Sequence, residues 1–144
     1  MDVERTISTS ADAAHAWSAL ADVTAYPRWT ASMTSVEPLD GPRLDAGARF
    51  RIRQPGLPTT VWQVDEVHPG VSFTWVNAAP GVRTVAYHHV EPQADGTTRI
   101  RIGLRQRGPL AGLLALLVGA KTRRYVRMEA AGLKAAAEAR HPHR

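Results

Sequence analysis

The stretch that decides the fold reads PLAGLLALLVGAKTRRYVRMEAAGLKAAAEAR, from Pro109 to Arg140. After its first residue it contains no proline, and its apolar residues recur every three or four positions, a helical rather than a strand spacing. Gly108–Pro109 suits the start, because proline is tolerated at the first helical position. The apolar stripe rotates near Gly119, where a kink or a break in the helix would account for the shift. The pattern predicts one long C-terminal helix with a single buried side.

One carboxylate interrupts the apolar stripe of this helix. Glu129 projects between Tyr125, Val126 and Leu133, and no Lys or Arg lies three or four positions away. A carboxylate buried without a partner raises its pKa or finds a hydrogen-bond donor elsewhere. We therefore predict that Glu129 is substantially buried and bonded to the sheet or to a ligand. The alternative is a residue at the edge of the buried face or one tied to a backbone amide.

Length and composition bound the class of protein. A chain of 144 residues suits a single domain, placed here at residues 1–140, with a disordered tail at residues 141–144. The absence of cysteine excludes disulfides, thiolate catalysis and cysteine-based zinc sites. The longest apolar run, Pro109 to Ala120, is too short to span a bilayer, and the N-terminus has no signal-peptide core. The sequence predicts a cytoplasmic protein.

The rest of the chain carries the alternation of a half-buried sheet. Apolar residues alternate with arginines from Ala48 to Arg53 and from Arg99 to Arg105, and the arginines are assigned to a solvated outer face. A strand at Val3–Ile7, a helix from Ser10 to Ala21 and a short helix or turn around Pro27 precede six strands. This order, closed by the long helix, predicts an α+β fold. Its sheet is an antiparallel meander whose dry face the C-terminal helix covers.

The alternation also predicts which side chains face the helix. The strand Val82–Glu91 is ambiguous, because either its even-numbered or its odd-numbered residues can face inward. His88 and His89 point to opposite faces, so they cannot hold one metal ion together, and no metal site or cofactor is predicted. The residues assigned to the concave face are Ile52, Trp62, Phe73, Trp75, Ile102 and Leu104.

A set of short motifs spans nearly the whole chain. In order, they are Ala16-Trp17, Leu20-Ala21-Asp22, Tyr26-Pro27-Arg28-Trp29, Val67-His68-Pro69-Gly70, Phe73 with Trp75, His89-Val90-Glu91-Pro92, Asp95-Gly96-Thr97, Gly108-Pro109-Leu110 and Glu129 to Lys134. In these motifs the chain resembles the START/Bet v 1-like (SRPBCC) superfamily, specifically its bacterial polyketide cyclase/dehydrase-like branch. The resemblance implies a helix-grip fold, in which a curved seven-stranded antiparallel sheet wraps the long helix around a cavity. It also implies that a small apolar or amphipathic molecule occupies the cavity.

Candidate ligand-binding residues follow from the aromatic inner face and the implied cavity. Such pockets are mostly apolar, with a few placed polar groups. Plain core packing is the alternative for the aromatic residues, and anchoring of the short helix is the alternative for Trp29. Gln106 and Asn77 are additional polar candidates. The ligand-binding candidates are Trp29, Phe50, Ile52, Trp62, Phe73, Trp75, His88, Ile102, Leu104, Tyr125, Met128 and Glu129.

Three classes of function fit this pattern. The first is binding of a small hydrophobic or aromatic molecule, lipid- or polyketide-like. The second is a polyketide cyclase, aromatase or dehydratase in which Glu129 or His88 acts as general acid or base. The third is an interaction module whose basic outer face meets an anionic partner, in keeping with the net charge of +5. No dense Lys/Arg tract is present, so no nucleic-acid partner is predicted. We expect a monomer or a homodimer.

Overall fold

Residues 1–140, which the structure describes, form seven strands, two α-helices and one 3₁₀ helix in this computed structural model. The predicted order of elements is confirmed, and residues 141–144, the predicted tail, lie outside the described residues. The helices are α1 (Ala13–Ala21), the 3₁₀ helix (Val23–Arg28) and α2 (Ala111–Arg140). The strands are β1 (Asp2–Thr9), β2 (Ser35–Pro38), β3 (Arg49–Arg53), β4 (Thr60–His68), β5 (Ser72–Ala79), β6 (Val82–Pro92) and β7 (Thr98–Arg107).

The strands form one antiparallel sheet in the order β1-β7-β6-β5-β4-β3-β2. From β2 to β7 each strand pairs with its neighbour in sequence, as predicted for a meander. Strand β1 pairs with β7 instead, from Asp2 opposite Arg105 to Thr9 opposite Thr98. In β4 the register shifts between Val64 and residue 66, and such a bulge increases the local twist of a strand. The result is the curved sheet of a helix-grip fold.

Side chains alternate across this sheet as predicted. Ile52 and Ile102 are 1% and 2% exposed on the concave face. Their neighbours Arg51 and Arg101 point to the convex face, where Arg51 Nη1 lies 3.0 Å from Glu37 Oε2. The assignment of the apolar set to the concave face is confirmed, and the arginines stand on the solvated side.

The even-numbered residues of β6 face inward, which the sequence left open. His88 is 1% exposed, whereas His89 lies on the convex face. On that convex face Tyr87 stands opposite Gly103 of β7, where a side chain on residue 103 would collide with the tyrosine ring. The Tyr87 hydroxyl donates to Glu4 Oε1 at 2.8 Å. An aromatic ring over a cross-strand glycine stabilises a sheet, so the Tyr87–Gly103 contact favours the orientation of β6 that is observed.

The C-terminal half of α2 packs on the concave face. Val126, Ala130 and Leu133 are buried there among side chains of the sheet and α1. The helix is continuous from Ala111 to Arg140 and has no break at Gly119. The predicted single buried side is therefore correct for this half of the helix.

The first turns of α2 depart from the prediction. Leu110, Leu113, Leu116 and Leu117 are 47%, 54%, 82% and 70% exposed. These turns lie beside the β5–β6 turn, where Leu110 N donates to the Gly81 carbonyl at 3.0 Å. The helix reaches the rim of the sheet here, so the sheet offers these leucines little surface to pack against. Within residues 1–140 no helix is long and apolar enough to cross a membrane.

Helix α1 begins later than predicted. Asp12 rather than Ser10 caps it, because Asp12 Oδ1 accepts a hydrogen bond from His15 N at 2.8 Å. Helix α1 packs against the C-terminal part of α2, where Arg140 Nη2 lies 3.0 Å from Asp22 Oδ2. This contact covers the end of α2 that lies away from the exposed leucines.

Candidate ligand cavity

A cavity of about 280 Å³ lies between the concave face of the sheet and α2. Strands β3 to β7 form one wall, α2 forms the opposite wall, and the loop between β3 and β4 forms a side. The lining is mostly apolar and comprises Met33, Ile52, Gln54, Leu57, Pro58, Thr60, Trp62, Trp75, Asn77, Ala79, Thr84, Ala86, His88, Ile102, Gly103, Leu104, Gln106, Leu114, Val118, Thr122, Tyr125, Val126 and Glu129.

Trp75 of β5 is the centre of an aromatic cluster beside the cavity. Its ring centroid lies 6.0 Å from that of Trp62, 6.1 Å from that of Phe50 and 5.3 Å from that of Phe73. Tilted and edge-on contacts of this kind stabilise aromatic pairs beyond their buried area. Trp62 Nε1 donates to Thr60 Oγ1 at 3.0 Å, which satisfies the polar edge of that indole. The aromatic rings of this wall therefore pack on one another, and the polar edge of Trp62 is satisfied within the protein.

Most of the predicted ligand-binding residues are brought together at this cavity. Four of them, Trp29, Phe50, Phe73 and Met128, are not among the residues that line it. Those that do line it are Ile52, Trp62, Trp75, His88, Ile102, Leu104, Tyr125 and Glu129.

Each of the four other candidates is occupied elsewhere. Trp29 packs against α2 at Gly132, where its carbonyl and ring come so close that only glycine fits. It thus anchors the 3₁₀ helix. Phe50 and Phe73 are 0% exposed and belong to the packed core. Met128 is half-buried on α2, about 100° around the helix from Glu129.

His88 of β6 and Glu129 of α2 face each other in the cavity wall and form a polar pair. His88 Nε2 lies 3.9 Å from Glu129 Oε1, beyond hydrogen-bonding distance. His88 Nδ1 lies 3.3 Å from the Phe73 carbonyl oxygen. A carbonyl only accepts, so Nδ1 carries the proton and Nε2 is left as an acceptor facing the carboxyl group. The imidazole also stacks on the Phe73 ring at a centroid distance of 4.1 Å, which fixes its plane.

Burial sets the protonation of both groups. The Glu129 side chain is 12% exposed and that of His88 is 2% exposed. Burial raises the pKa of Glu129 to about 7 and lowers the pKa of His88 to about 3. Midway between these two values, at mildly acidic pH, both groups are therefore predominantly uncharged. The predicted burial of Glu129 is confirmed, but within residues 1–140 its carboxyl group has no hydrogen-bond partner, so the predicted bond to the sheet is absent.

A second polar site in the cavity wall lies where Gln106 of β7 stands opposite Thr84 of β6. Gln106 is 6% exposed, and its buried Oε1 has no hydrogen-bond partner among residues 1–140. Asn77 of β5 lines the same region and donates from Nδ2 to the Val61 carbonyl at 2.9 Å. A buried acceptor without a donor costs free energy, and a donor placed in the cavity would remove that cost.

Sequence reasoning missed the parts of the lining supplied by a loop and by the start of α2. Leu57 and Pro58 come from the loop between β3 and β4, which has no periodicity to detect. Leu114 and Val118 belong to the leucine-rich first turns of α2. The helical spacing of their apolar residues was the sequence feature that could have indicated them as lining residues. Tyr125 Oη donates to the carbonyl of Pro55 at 2.5 Å, and this bond ties the loop to the helix.

The architecture is similar to that of several solved structures. A hypothetical protein from Helicobacter pylori is 19% identical over 95% of this chain and 88% of its own, with a TM-score of 0.80. The Zhui aromatase/cyclase from Streptomyces sp. R1128 is 19% identical over 97% of this chain and 94% of its own, with a TM-score of 0.78. A protein from Thermus thermophilus is 16% identical over 96% of this chain and 98% of its own, with a TM-score of 0.76. At these identities the likeness establishes the fold alone.

Sequence comparison assigns the family. No curated protein matches the chain. The family model described as polyketide cyclase / dehydrase and lipid transport matches residues 1–138, nearly the whole sequence. The chain therefore belongs to the polyketide cyclase/dehydrase and lipid transport family.

Proposed function

We propose that the protein binds a small hydrophobic or aromatic molecule in the cavity between the sheet and α2. The observation that carries the proposal is an apolar cavity of about 280 Å³ with an unsatisfied buried acceptor, Gln106 Oε1, among the residues that line it. Fully packed cores leave few voids larger than a water molecule, so a space of this size and composition is typical of a ligand site. The family description, which includes lipid transport, supports the same class of ligand.

The lining restricts the chemistry of this ligand. The volume lies just below the range of about 300–1,000 Å³ found for ligand pockets, which favours a compact molecule over a long-chain lipid. Trp62 and Trp75 favour a flat aromatic or unsaturated body. A hydroxyl or N–H group on the ligand would supply the donor that Gln106 Oε1 lacks. At the His88–Glu129 pair, the carboxyl group of Glu129 would donate a hydrogen bond to the ligand when protonated and accept one from it when ionised.

A thermal-shift screen of aromatic polyketides, fatty acids and isoprenoids tests this proposal. A ligand that binds only the folded state at about 100 times its Kd is expected to raise the melting temperature by about 5–10 °C. Ala86→Phe, which fills the cavity from β6, is expected to abolish the shift. Val85→Phe adds the same group on the convex face of the same strand and is expected to retain it. No shift with any class, or an equal response in both variants, would contradict ligand binding in this cavity.

A second candidate function is acid–base catalysis on the bound molecule. It is favoured by one observation, the pairing of a neutral imidazole with a carboxyl group whose pKa is about 7 inside an apolar cavity. General acid–base catalysis is most effective when the pKa of the catalytic group lies near the working pH. Glu129 would then exchange a proton with the ligand, and His88 Nε2 would act only as a hydrogen-bond acceptor that orients the ligand or the carboxyl group. A cyclase, aromatase or dehydratase reaction needs such transfers.

Glu129→Gln separates the two functions. If Glu129 transfers a proton, this change is expected to preserve ligand binding and to lower turnover by about 10²–10⁴-fold. Binding is measured by thermal shift and turnover by product analysis with the same compound. Unchanged turnover in Glu129→Gln would exclude this residue as the acid or base and leave a binding role.

A further inference from the structure

The start of α2 carries an apolar surface that no other element within the described part of the chain covers. We call Leu110, Leu113, Leu116 and Leu117 the leucine patch; their exposed fractions run from 47% to 82%. Isolated exposed apolar residues are ordinary, but a contiguous patch on one helix face marks an interaction site. The patch also adjoins the ligand cavity. A shallow depression lined by Leu110, Leu113 and Leu117 shares Asn77, Ala79, Thr84 and Leu114 with the cavity.

The same helix carries a set of cations directly after the patch. Between Ala111 and Met128 the sequence contains no acidic residue and four basic ones, Lys121, Arg123, Arg124 and Arg127. Across residues 1–140 no ion pair involves any of these four. By contrast, Arg49 and Arg51 on the sheet are paired with carboxylates. Positive charge on α2 is thus left available to an anionic partner.

The leucines and cations lie on one exposed stripe of the helix. Leu113, Leu116 and Leu117 are followed by Arg123 and Arg124, all of them exposed. Leu113 lies three and four positions before Leu116 and Leu117, and each of these lies seven positions before one of the arginines, so all five fall on one side of the helix. At 1.5 Å per residue, the arginines stand about 12 Å along the axis from the centre of the leucines. The stripe therefore presents an apolar part and a cationic part side by side.

We propose that this stripe docks the protein on the surface of an anionic lipid bilayer. The leucine patch would enter the boundary between headgroups and acyl chains, while Arg123 and Arg124 contact lipid phosphates. The helix lies on the membrane rather than across it. Docking in this orientation brings the side of the cavity next to the patch close to the bilayer, where an apolar ligand is exchanged without crossing water.

Charge favours a bilayer over a second copy of this chain. In a dimer formed through the stripe, neither copy offers a carboxylate on the stripe to pair with the cations of the other. An anionic headgroup layer satisfies the cations and the leucines together. Vesicle binding measures docking without any ligand in the cavity, so its outcome is independent of the proposed ligand binding.

Cosedimentation with vesicles tests the docking surface. Wild-type protein is expected to bind phosphatidylcholine vesicles that contain phosphatidylglycerol, to bind pure phosphatidylcholine more weakly, and to dissociate as salt is raised. Leu116→Ser/Leu117→Ser is expected to lower the affinity by about tenfold or more. Arg123→Glu/Arg124→Glu is expected to lower it by at least as much on the anionic vesicles only.

Matched controls carry the same changes elsewhere on the surface. Val71→Ser removes an apolar residue that is 53% exposed at the opposite end of β5. Arg5→Glu/Arg99→Glu makes the same change in net charge on the sheet. Both controls are expected to bind vesicles as the wild type does. Failure of the wild type to bind anionic vesicles, or equal losses in the controls, overturns the proposal. So does a dimer that Leu116→Ser/Leu117→Ser dissociates without any lipid binding.

Discussion

Replacing Gly132 with alanine is expected to destabilise the protein by about 2–4 kcal/mol, the range of severe overpacking in a rigid contact. A Cβ atom at this position would lie 2.7 Å from Trp29 Cε3 and closer still to the Trp29 carbonyl oxygen. The oxygen belongs to backbone at the end of the 3₁₀ helix and cannot rotate away. This clash outweighs the gain of about 1 kcal/mol that alanine normally brings to a helix interior.

Gly112→Ala is the matched control for this change. Gly112 lies in the same helix, but a Cβ atom added there meets nothing within 4 Å. Its substitution is expected to raise the free energy of unfolding by up to about 1 kcal/mol. Urea unfolding of both variants measures the difference. If both glycine variants are stabilised alike, the packing of Trp29 on α2 described above is wrong.

Glu129 is expected to make stability fall as pH rises toward neutrality. Its pKa is raised from 4.5 to about 7 in the folded protein, so between those values the unfolded chain binds fewer protons than the folded one. The free energy of unfolding therefore decreases with pH across this window, by about 3 kcal/mol for this group. His88 acts in the opposite sense. Its pKa is lowered from 6.5 to about 3, so its contribution rises with pH between those values.

Glu129→Gln isolates the carboxyl contribution. Relative to the wild type, this variant is expected to gain about 3 kcal/mol of stability when the pH is raised from about 4 to about 8, because the amide has no charge to bury. Urea unfolding across this range measures the gain. A curve for Glu129→Gln parallel to that of the wild type would mean that the carboxyl group is not desolvated.

Most of the sheet was predictable because its alternation is a local property of the sequence. In β3 and β7 arginines alternate with isoleucines, so only one orientation of each strand buries the apolar side chains. The structure shows that orientation. In β6 both the even-numbered and the odd-numbered residues include apolar and aromatic side chains. The local pattern therefore could not predict which set faces the concave side. The choice depends on Tyr87 covering Gly103, a contact between two strands that periodicity does not encode.

The cavity was less predictable than the sheet around it. Aromatic residues on the inner face either line a space or fill it, and the pattern of Trp75 and Phe73 is the same in both cases. Trp29 is excluded from the lining by its contact with Gly132, which is distant in sequence. The leucines of α2 have the spacing of a buried stripe, and a sequence pattern does not state which partner buries it. That ambiguity accounts for the error in the first turns of the helix.

Binding of an apolar ligand between the sheet and α2 is tested most directly by the indole N–H resonances of the four tryptophans. Trp62 and Trp75 line the cavity, whereas Trp17 and Trp29 do not, so the protein contains its own control. Titration with the compound that gives the largest thermal shift is expected to move the signals of Trp62 and Trp75. Those of Trp17 and Trp29 are expected to stay in place. Movement confined to Trp17 and Trp29, or no movement with any compound tested, would contradict ligand binding in the cavity.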